Sequence, residues 1–450
     1  MAQEMTRRQF TIGAAAVGAG LVTRTAALGA LGANERIRLG VIGTGNRGDQ
    51  VIAGFKVHKD AEIVALCDVF EPYLAAAKAG LGGKPDTYRD YRKMLERKDI
   101  DAVIIATPDH WHALQCIDAC NAGKDVYVEK PLSLVIREGR RMVETAARTK
   151  RVVQVGIQRR SAKFIQEAIG LIRSGAIGHV TLAQCYHIVN EYPHGIGNPP
   201  DCDPPKELDW DMWLGPAPKV PYNPNRCLYK FRWFRSYSGG QLTNMGTHYL
   251  DMIQWAIGQD APVAVTATGG KYVMKDDREI PDTLKVVWEY PGGTLVEFTQ
   301  VNANAAPGNA RGDAVEFRGT DGTLYISGGS YELVPERHHT IPIPGNDPLR
   351  RVENRDAYAP TTEAATARQG RGRVTEADHA RNFLDCIKSR KECVCPIETG
   401  HRSTSATLLG NVAYDRKRRI EWDAKAERVT NDEKANDLLS YEYRPPWKLE

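Results

Sequence analysis

The sequence predicts an α/β plus α+β chain: a doubly wound parallel sheet first, then a mostly antiparallel sheet with helices on one face. Three observations predict it. An apolar strand, Ile37 to Ile42, runs into Gly43-Thr44-Gly45-Asn46-Arg47-Gly48 and then a helix-compatible stretch. Strand and helix patterns alternate from there to about residue 155, the signature of a parallel sheet covered on both sides. Beyond about residue 180, strand-like runs instead follow one another across turn signals such as Pro291-Gly292-Gly293 and Asp321-Gly322.

In order, the first part gives a strand Glu62 to Cys67 ending on Asp68, and helices at about Pro72 to Ala79 and Tyr91 to Arg97. A strand Ala102 to Ile105 ends in Ala106-Thr107-Pro108-Asp109-His110-Trp111-His112. A helix Ala113 to Ala122 and a strand Asp125 to Val128 lead to Glu129-Lys130-Pro131. A helix Ile136 to Arg148 and a strand Val152 to Gly156 close the unit. Loops 43–48, 68–70, 106–112, 129–131 and 156–160 fall at the carboxyl ends of the strands, where such sheets bind ligands.

The second part gives strands Val180 to Val189, Val263 to Ala267, Thr283 to Tyr290, Thr294 to Val301, Ala314 to Arg318 and Thr323 to Ile326. A Pro- and aromatic-rich loop spans 192–236, and helices are expected at Gly246 to Ile257, Thr375 to Ser389 and Thr399 to Asp415. Residues 340–375 read as a long loop. The ending Tyr441-Glu442-Tyr443-Arg444-Pro445-Pro446-Trp447 is aromatic enough to pack on a surface or a neighbouring subunit. The expected organisation is a leader (1–33), a nucleotide-binding domain (36–155), a substrate and oligomerisation domain (156–425) and a tail (426–450).

Composition narrows the function. The 450 residues suit two domains, and a 42% apolar share supplies ample core. Net charge is +4 with both signs interspersed, so nucleic acid is not an expected partner. Nine scattered cysteines, an odd number, read mostly as buried thiols rather than a disulfide framework. No metal is expected, although His110 and His112 at i, i+2 raise the question.

The N-terminus carries Thr6-Arg7-Arg8-Gln9-Phe10-Thr11-Ile12 and then an Ala/Gly/Val/Leu stretch to about Ala33. This looks like a twin-arginine (Tat) export signal, too short and too rich in Gly and Ala for a stable membrane span. The expectation is a periplasmic or otherwise exported protein that engages the Tat machinery. Because Tat carries folded proteins, a dinucleotide would be loaded before export and would have to be held tightly.

Gly43-x-Gly45-x-x-Gly48 between strand and helix is a dinucleotide fingerprint. Gly43 permits the tight turn, Gly45 lets the pyrophosphate approach the backbone, and Gly48 lets the helix sit close. The helix N-terminus, with Asn46 and Arg47, faces the phosphates. Asp68, 25 residues after Gly43, would accept from a ribose hydroxyl. Asp68-Val69-Phe70 offers no Arg, so NAD is favoured over NADP. Thr107, Pro108, His112, Glu129 and Lys130 are expected around the cofactor.

A second constellation is Gly239-Gly240-Gln241-Leu242-Thr243-Asn244-Met245-Gly246-Thr247-His248-Tyr249-Leu250-Asp251. On one continuous helix Asn244, His248 and Asp251 would share a face, costly to bury without purpose. Arg159, Tyr186 and His187 are further candidates for substrate contact. Trp210, Trp213, Trp233 and Tyr237 could stack on a sugar ring or simply pack.

These motifs together with Ala122-Gly123-Lys124-x-x-x-x-Glu129-Lys130-Pro131-Leu132 make the chain resemble the glucose–fructose oxidoreductase / myo-inositol dehydrogenase (Gfo/Idh/MocA) family over about residues 36–425. The resemblance implies a Rossmann domain, an open-faced sheet that forms subunit contacts (a homo-oligomer, dimer or tetramer), and hydride transfer between NAD and a sugar or cyclitol. Lys130 and His248 match the family's catalytic Lys and His. The position four before the His, commonly Asp in sugar dehydrogenases, is Asn244, which can hold a hydroxyl but cannot act as a base.

The implied roles are His248 as acceptor of the hydroxyl proton and Lys130 as donor to the same oxygen, or Lys130 as the base if its pKa is lowered. The leading expectation is NAD-dependent oxidation of a sugar or glycoside. One alternative is an NAD-dependent glycoside hydrolase working by transient C3 oxidation and elimination, with a base from the 186–194 region. Another is a non-catalytic sugar-binding subunit.

Overall fold

The computed structural model describes residues 36–309, 311–312, 314–339 and 361–449. The leader and residues 340–360 of the expected long loop lie outside the described residues.

The first sheet holds β1 (Ile37–Ile42), β2 (Ala61–Cys67), β3 (Asp86–Tyr88), β4 (Ala102–Ile105), β5 (Asp125–Glu129) and β6 (Val153–Gly156). Their order is β3-β2-β1-β4-β5-β6, and every pairing is parallel. Central strands are apolar end to end because helices cover both faces; all four residues of β4 are buried. Register aligns the strand ends: Ile42 lies beside Cys67 and Ile105, and Glu129 beside Gly156. The segments that follow therefore emerge along one edge.

The second sheet holds β7 (Val180–Ile188), β8 (Ala264–Gly270), β9 (Thr283–Tyr290), β10 (Thr294–Val301), β11 (Val315–Gly319), β12 (Gly322–Ile326) and β13 (Ser330–Pro335). A small pair, β14 (Arg337–His339) and β15 (Thr361–Glu363), stands apart. β16 (Arg368–Arg371), β17 (Ile420–Asp423) and β18 (Arg428–Val429) extend the large sheet, ordered β16-β13-β12-β11-β7-β10-β9-β8-β17-β18. All its pairings are antiparallel except β7 with β10. Strict alternation sends Leu284, Val286, Trp288 and Tyr290 inward and leaves Lys285 exposed. Helices Lys163–Arg173, Gly246–Ile257 and Ile397–Arg416 cover the inner face. The indole N–H of Trp288 donates to the Ala406 carbonyl at 2.8 Å, so its one polar atom is satisfied in the core.

The chain then returns to the first domain. Helix Glu376–Ser389 packs on helix Asn46–Lys56 at Gly54, where a Cβ would stand 2.5 Å from that of Glu376. Asp60 receives Arg381 and Lys388 from the same helix. The tail packs on its own chain, against the first domain and the 192–236 loop region. The Tyr443 hydroxyl donates to Glu138, Arg444 donates to the Gly215 carbonyl at 2.9 Å, and the Trp447 ring meets Trp111 edge-on at 4.8 Å.

Several elements correct the expectation. Helix Lys163–Arg173 adds to the expected elements; Phe164, Ile165, Ala168, Ile169 and Ile172 carry its i, i+4 spacing. Residues 361–363 and 368–371 are short strands within the expected loop; their polar residues are satisfied by pairing, not by burial. Eight of the nine cysteines are buried and free; Cys202 is exposed.

Candidate active site

The turn after β1 is built as its glycines require. Gly43 has φ +85°, and a Cβ there would stand 2.8 Å from the Ala106 and Thr107 backbone. A Cβ on Gly48 would stand 2.0 Å from the Gly43 carbonyl oxygen, so helix and turn can close only on hydrogen. Gly45 faces the Tyr73 ring. Asp68 braces the loop: its Oδ2 accepts from the Thr44 N–H at 2.7 Å and the Thr44 hydroxyl at 3.1 Å. Burial raises the Asp68 pKa, an effect these donors oppose.

A cleft runs from this turn along the sheet edge. Gly43, Gly45, Asn46, Arg47, Asp68, Thr107, Pro108, Glu129, Lys130 and Asn244 all line it. Its outer wall comes from the aromatic loop: Met212, Trp213, Tyr229, Phe231 and Arg232. The glycine turn, the carboxylate at the end of β2 and the long cleft suit a dinucleotide: the turn and helix Asn46–Lys56 would hold the phosphates and Asp68 a ribose.

Further along, Glu129 is fully enclosed and accepts from Arg47 Nη2 at 2.8 Å and Gln158 Nε2 at 3.0 Å. Burial would raise its pKa, but the charges of Arg47 and Lys130 outweigh this and hold it below the usual carboxylate value. Arg47 also meets Glu376 at 2.8 Å, a partner 329 residues away that no local signal announces.

Lys130 follows, joined to Pro131 by a cis peptide. Its Nζ donates to Asn244 twice, to Oδ1 at 2.7 Å and to the backbone carbonyl at 2.9 Å. Among the described residues no carboxylate forms an ion pair with Nζ, and burial, opposed by the charge of Glu129, lowers its pKa to about 8. Asn244 is oriented in turn, its Nδ2 donating to Gln241 Oε1 at 3.0 Å.

The helical face expected for Asn244, His248 and Asp251 is not continuous. Asn244 ends helix Gly240–Asn244, and a new helix starts at Gly246. Asp251 turns away and is fully buried, bound by Arg160 Nε at 2.8 and 3.0 Å and by the Ser403 hydroxyl at 2.8 Å. His248 stays within reach of the Lys130 charge but does not line the cleft; its Nδ1 is shielded without a partner among the described residues. Burial, then the charges of Lys130 and Arg159, push its pKa well below the usual value, so the ring is neutral at neutral pH.

Other candidates are placed differently from expectation. His112 is buried with Nδ1 2.8 Å from the Pro131 carbonyl and Nε2 2.9 Å from the Thr107 carbonyl. It ties two cleft loops together and does not itself line the cleft. His110 Nε2 lies 3.1 Å from the Trp213 carbonyl. Among the described residues no group of three His, Cys, Asp or Glu is arranged to hold a metal. Tyr186 and His187 are neighbours on β7 and so point to opposite faces. The Tyr186 ring lies against Gly308 on the face away from the helices, and neither residue lines the cleft. Trp210 and Trp213 stack at 5.0 Å within the aromatic core of the loop, and Trp213 reaches the cleft. Tyr73, Gln115 and Arg232 line the cleft without a sequence motif to mark them.

Comparison with known proteins agrees with this architecture. Residues 37–157 match the model of the oxidoreductase family with an NAD-binding Rossmann fold, and residues 191–306 and 373–449 match its C-terminal alpha/beta domain. Glycosyl hydrolase family 109 protein 1 of Shewanella sp. (strain MR-4) is 31% identical over 209 residues, 40% of this chain and 46% of that protein. Inositol 2-dehydrogenase 3 of Saccharopolyspora erythraea is 37% identical over 153 residues, 34% of this chain and 45% of that protein. The matched region thus spans about half the length of these relatives. Among solved structures, the WlbA dehydrogenase of Bordetella pertussis in complex with NADH and UDP-GlcNAcA superposes with a TM-score of 0.62 at 19% identity, covering 86% of this chain and 99% of that one. The chain is an NAD-binding oxidoreductase of the Gfo/Idh/MocA family.

Proposed function

We propose that this protein moves hydride between a tightly held NAD and a secondary hydroxyl of a sugar or glycoside. The observation that carries the proposal is Lys130: a lysine at the cleft edge, held by a neutral amide, with its pKa brought to about 8. NAD, when bound, supplies the hydride acceptor. As the carbinol is oxidised its proton must leave, and the Lys130 amine takes it; in the reverse direction the ammonium returns it. Asn244 fixes the direction of Nζ, and the His248 ring, kept neutral by burial and by the charge of Lys130, stands behind the cleft wall. Trp213, Tyr229 and Phe231 give the cleft an aromatic wall against which a sugar ring can pack.

The twin-arginine leader supports export through the Tat route with NAD already loaded. The outer face of the large sheet, including exposed Leu295, supports a subunit contact between copies of the chain. A second reading, NAD-dependent glycoside cleavage by transient C3 oxidation, draws support from the 31% identity to a family 109 glycosyl hydrolase. One experiment separates the two. The purified protein is incubated with a panel of sugars and glycosides and then denatured, and the released dinucleotide and its redox state are measured. Accumulated NADH with a keto-sugar supports net oxidation. Release of aglycone with NAD unchanged supports cleavage. Absence of bound dinucleotide before or after incubation refutes the tightly held cofactor.

A further inference from the structure

Beyond the Lys130 end of the cleft stands a cation that hydride transfer does not use. Arg159 lies in the short turn Gln158–Ser161, three residues beyond Gly156, and Gly156 pairs with Glu129, the residue before Lys130. Arg159 and Lys130 thus leave neighbouring strands at the same sheet edge. The Arg159 guanidinium sits 5.3 Å from the centre of the Tyr249 ring, one residue from His248. It is only partly exposed, and its Nη1 is shielded with no hydrogen-bond partner among the described residues. An unpaired guanidinium in such a place is costly unless something else completes it.

Nearby carboxylates are already engaged. Asp251 gives both oxygens to Arg160 and one of them also to Ser403. Glu129 and Glu376 close on Arg47. Lys130 has only the amide and carbonyl of Asn244. The glycine turn that would hold the dinucleotide phosphates is at the other end of the cleft, and Arg159 does not line that cleft. Glu129, the acid that acts on Lys130, is thus already bound to Arg47, and among the described residues no carboxylate is found paired with Arg159.

We infer that the substrate brings the missing acid: it is a sugar acid, with a carboxylate placed to meet the fork of Arg159 while a ring hydroxyl meets Lys130. This rests on reading the Lys130 site as the place of sugar oxidation. A carboxylate fits better than a phosphoryl group, because its two coplanar oxygens match the planar fork of the one guanidinium.

The test uses the NAD-loaded full chain. Binding of glucuronate and galacturonate is compared with that of glucose, galactose and glucose 6-phosphate by titration calorimetry, and nicotinamide absorbance is followed in parallel. A charge-assisted contact predicts that at least one uronate binds about tenfold or more tighter than its neutral parent. Arg159→Gln should erase that preference and Arg159→Lys should retain most of it. Uronates binding no better than their parents, or a preference that survives in Arg159→Gln, overturns the inference. Glucose 6-phosphate binding tighter than both uronates overturns the carboxylate assignment. Tight uronate binding with no absorbance change in any arm leaves the acid site standing and removes the hydride-transfer reading instead.

Discussion

Replacing Asn244 by Asp tests the electrostatics of the site most directly. Lys130 Nζ lies 2.7 Å from Asn244 Oδ1, so the substitution puts a carboxylate in direct contact with an ammonium that now feels Glu129 only at longer range. Two charges about 4 Å apart attract by roughly 4 kcal/mol at an effective dielectric near 20, or about three pKa units. The new carboxylate loses hydration of its own, which leaves a net rise of about one to two units. Lys130 should move from about 8 to roughly 9–10. In sugar oxidation the neutral amine is the active form, so activity rises with pH through the lysine pKa. The rising limb of kcat/KM should therefore shift to higher pH in Asn244→Asp, and activity at neutral pH should fall about 10- to 100-fold. Carbonyl reduction needs the ammonium, so its falling limb should shift upward by the same amount. The assay is the pH dependence of kcat/KM in both directions, followed by nicotinamide absorbance with a sugar that supports turnover. If the limb stays near 8 in the variant, Lys130 is not the group that exchanges the proton.

Three further outcomes are expected. Gly48→Ala places a methyl 2.0 Å from the Gly43 oxygen, and overpacking of about 1–3 kcal/mol should weaken dinucleotide retention roughly 10- to 100-fold, read as NAD released from the purified variant. Burial raises the Glu138 pKa to about 7, against the opposing hydrogen bonds of Tyr443 and the Leu134 N–H; the folded state therefore binds the extra proton, and stability falls as pH rises from about 4.5 to 7, by on the order of 3 kcal/mol. Glu138→Gln should flatten that slope in denaturant titrations at the two ends of the range. Trp447→Ala removes an edge-on contact with Trp111, which lines the cleft, and an Arg92 cation–π contact at 4.9 Å. About 1–2 kcal/mol lost there should lower the melting temperature and speed NAD release by up to about tenfold, measured by exchange against labelled NAD.

Which parts of this molecule could be read from its sequence follows from how far each feature depends on distant chain. The glycine turn is largely local: Gly48 is forced by the turn itself, Gly43 by the chain after β4 and Gly45 by the Tyr73 ring, all within the first domain, so the pattern survives in the string of letters. Strands β9 and β10 are equally local, because their alternation is set by a single buried face. The second half of the site is different. Spacing placed Asn244, His248 and Asp251 on one face only by assuming an unbroken helix; the break at Met245 turns Asn244 to Lys130, while Asp251 goes to Arg160. Tyr186 and His187 are adjacent in sequence, and strand geometry alone shows that both cannot face one ligand. The partners that set the chemistry are more distant still. Glu376 reaches Arg47 across 329 residues, and the lysine's low pKa reflects enclosure by several segments at once. Types of residue were therefore legible where the backbone imposes them, and charge states were not, because a charge state belongs to everything packed around the group. Arg159 follows from the same reasoning. Its letter says only that a cation stands after β6; that it lacks an acid becomes visible only when Asp251, Glu129 and Glu376 are each found bound elsewhere.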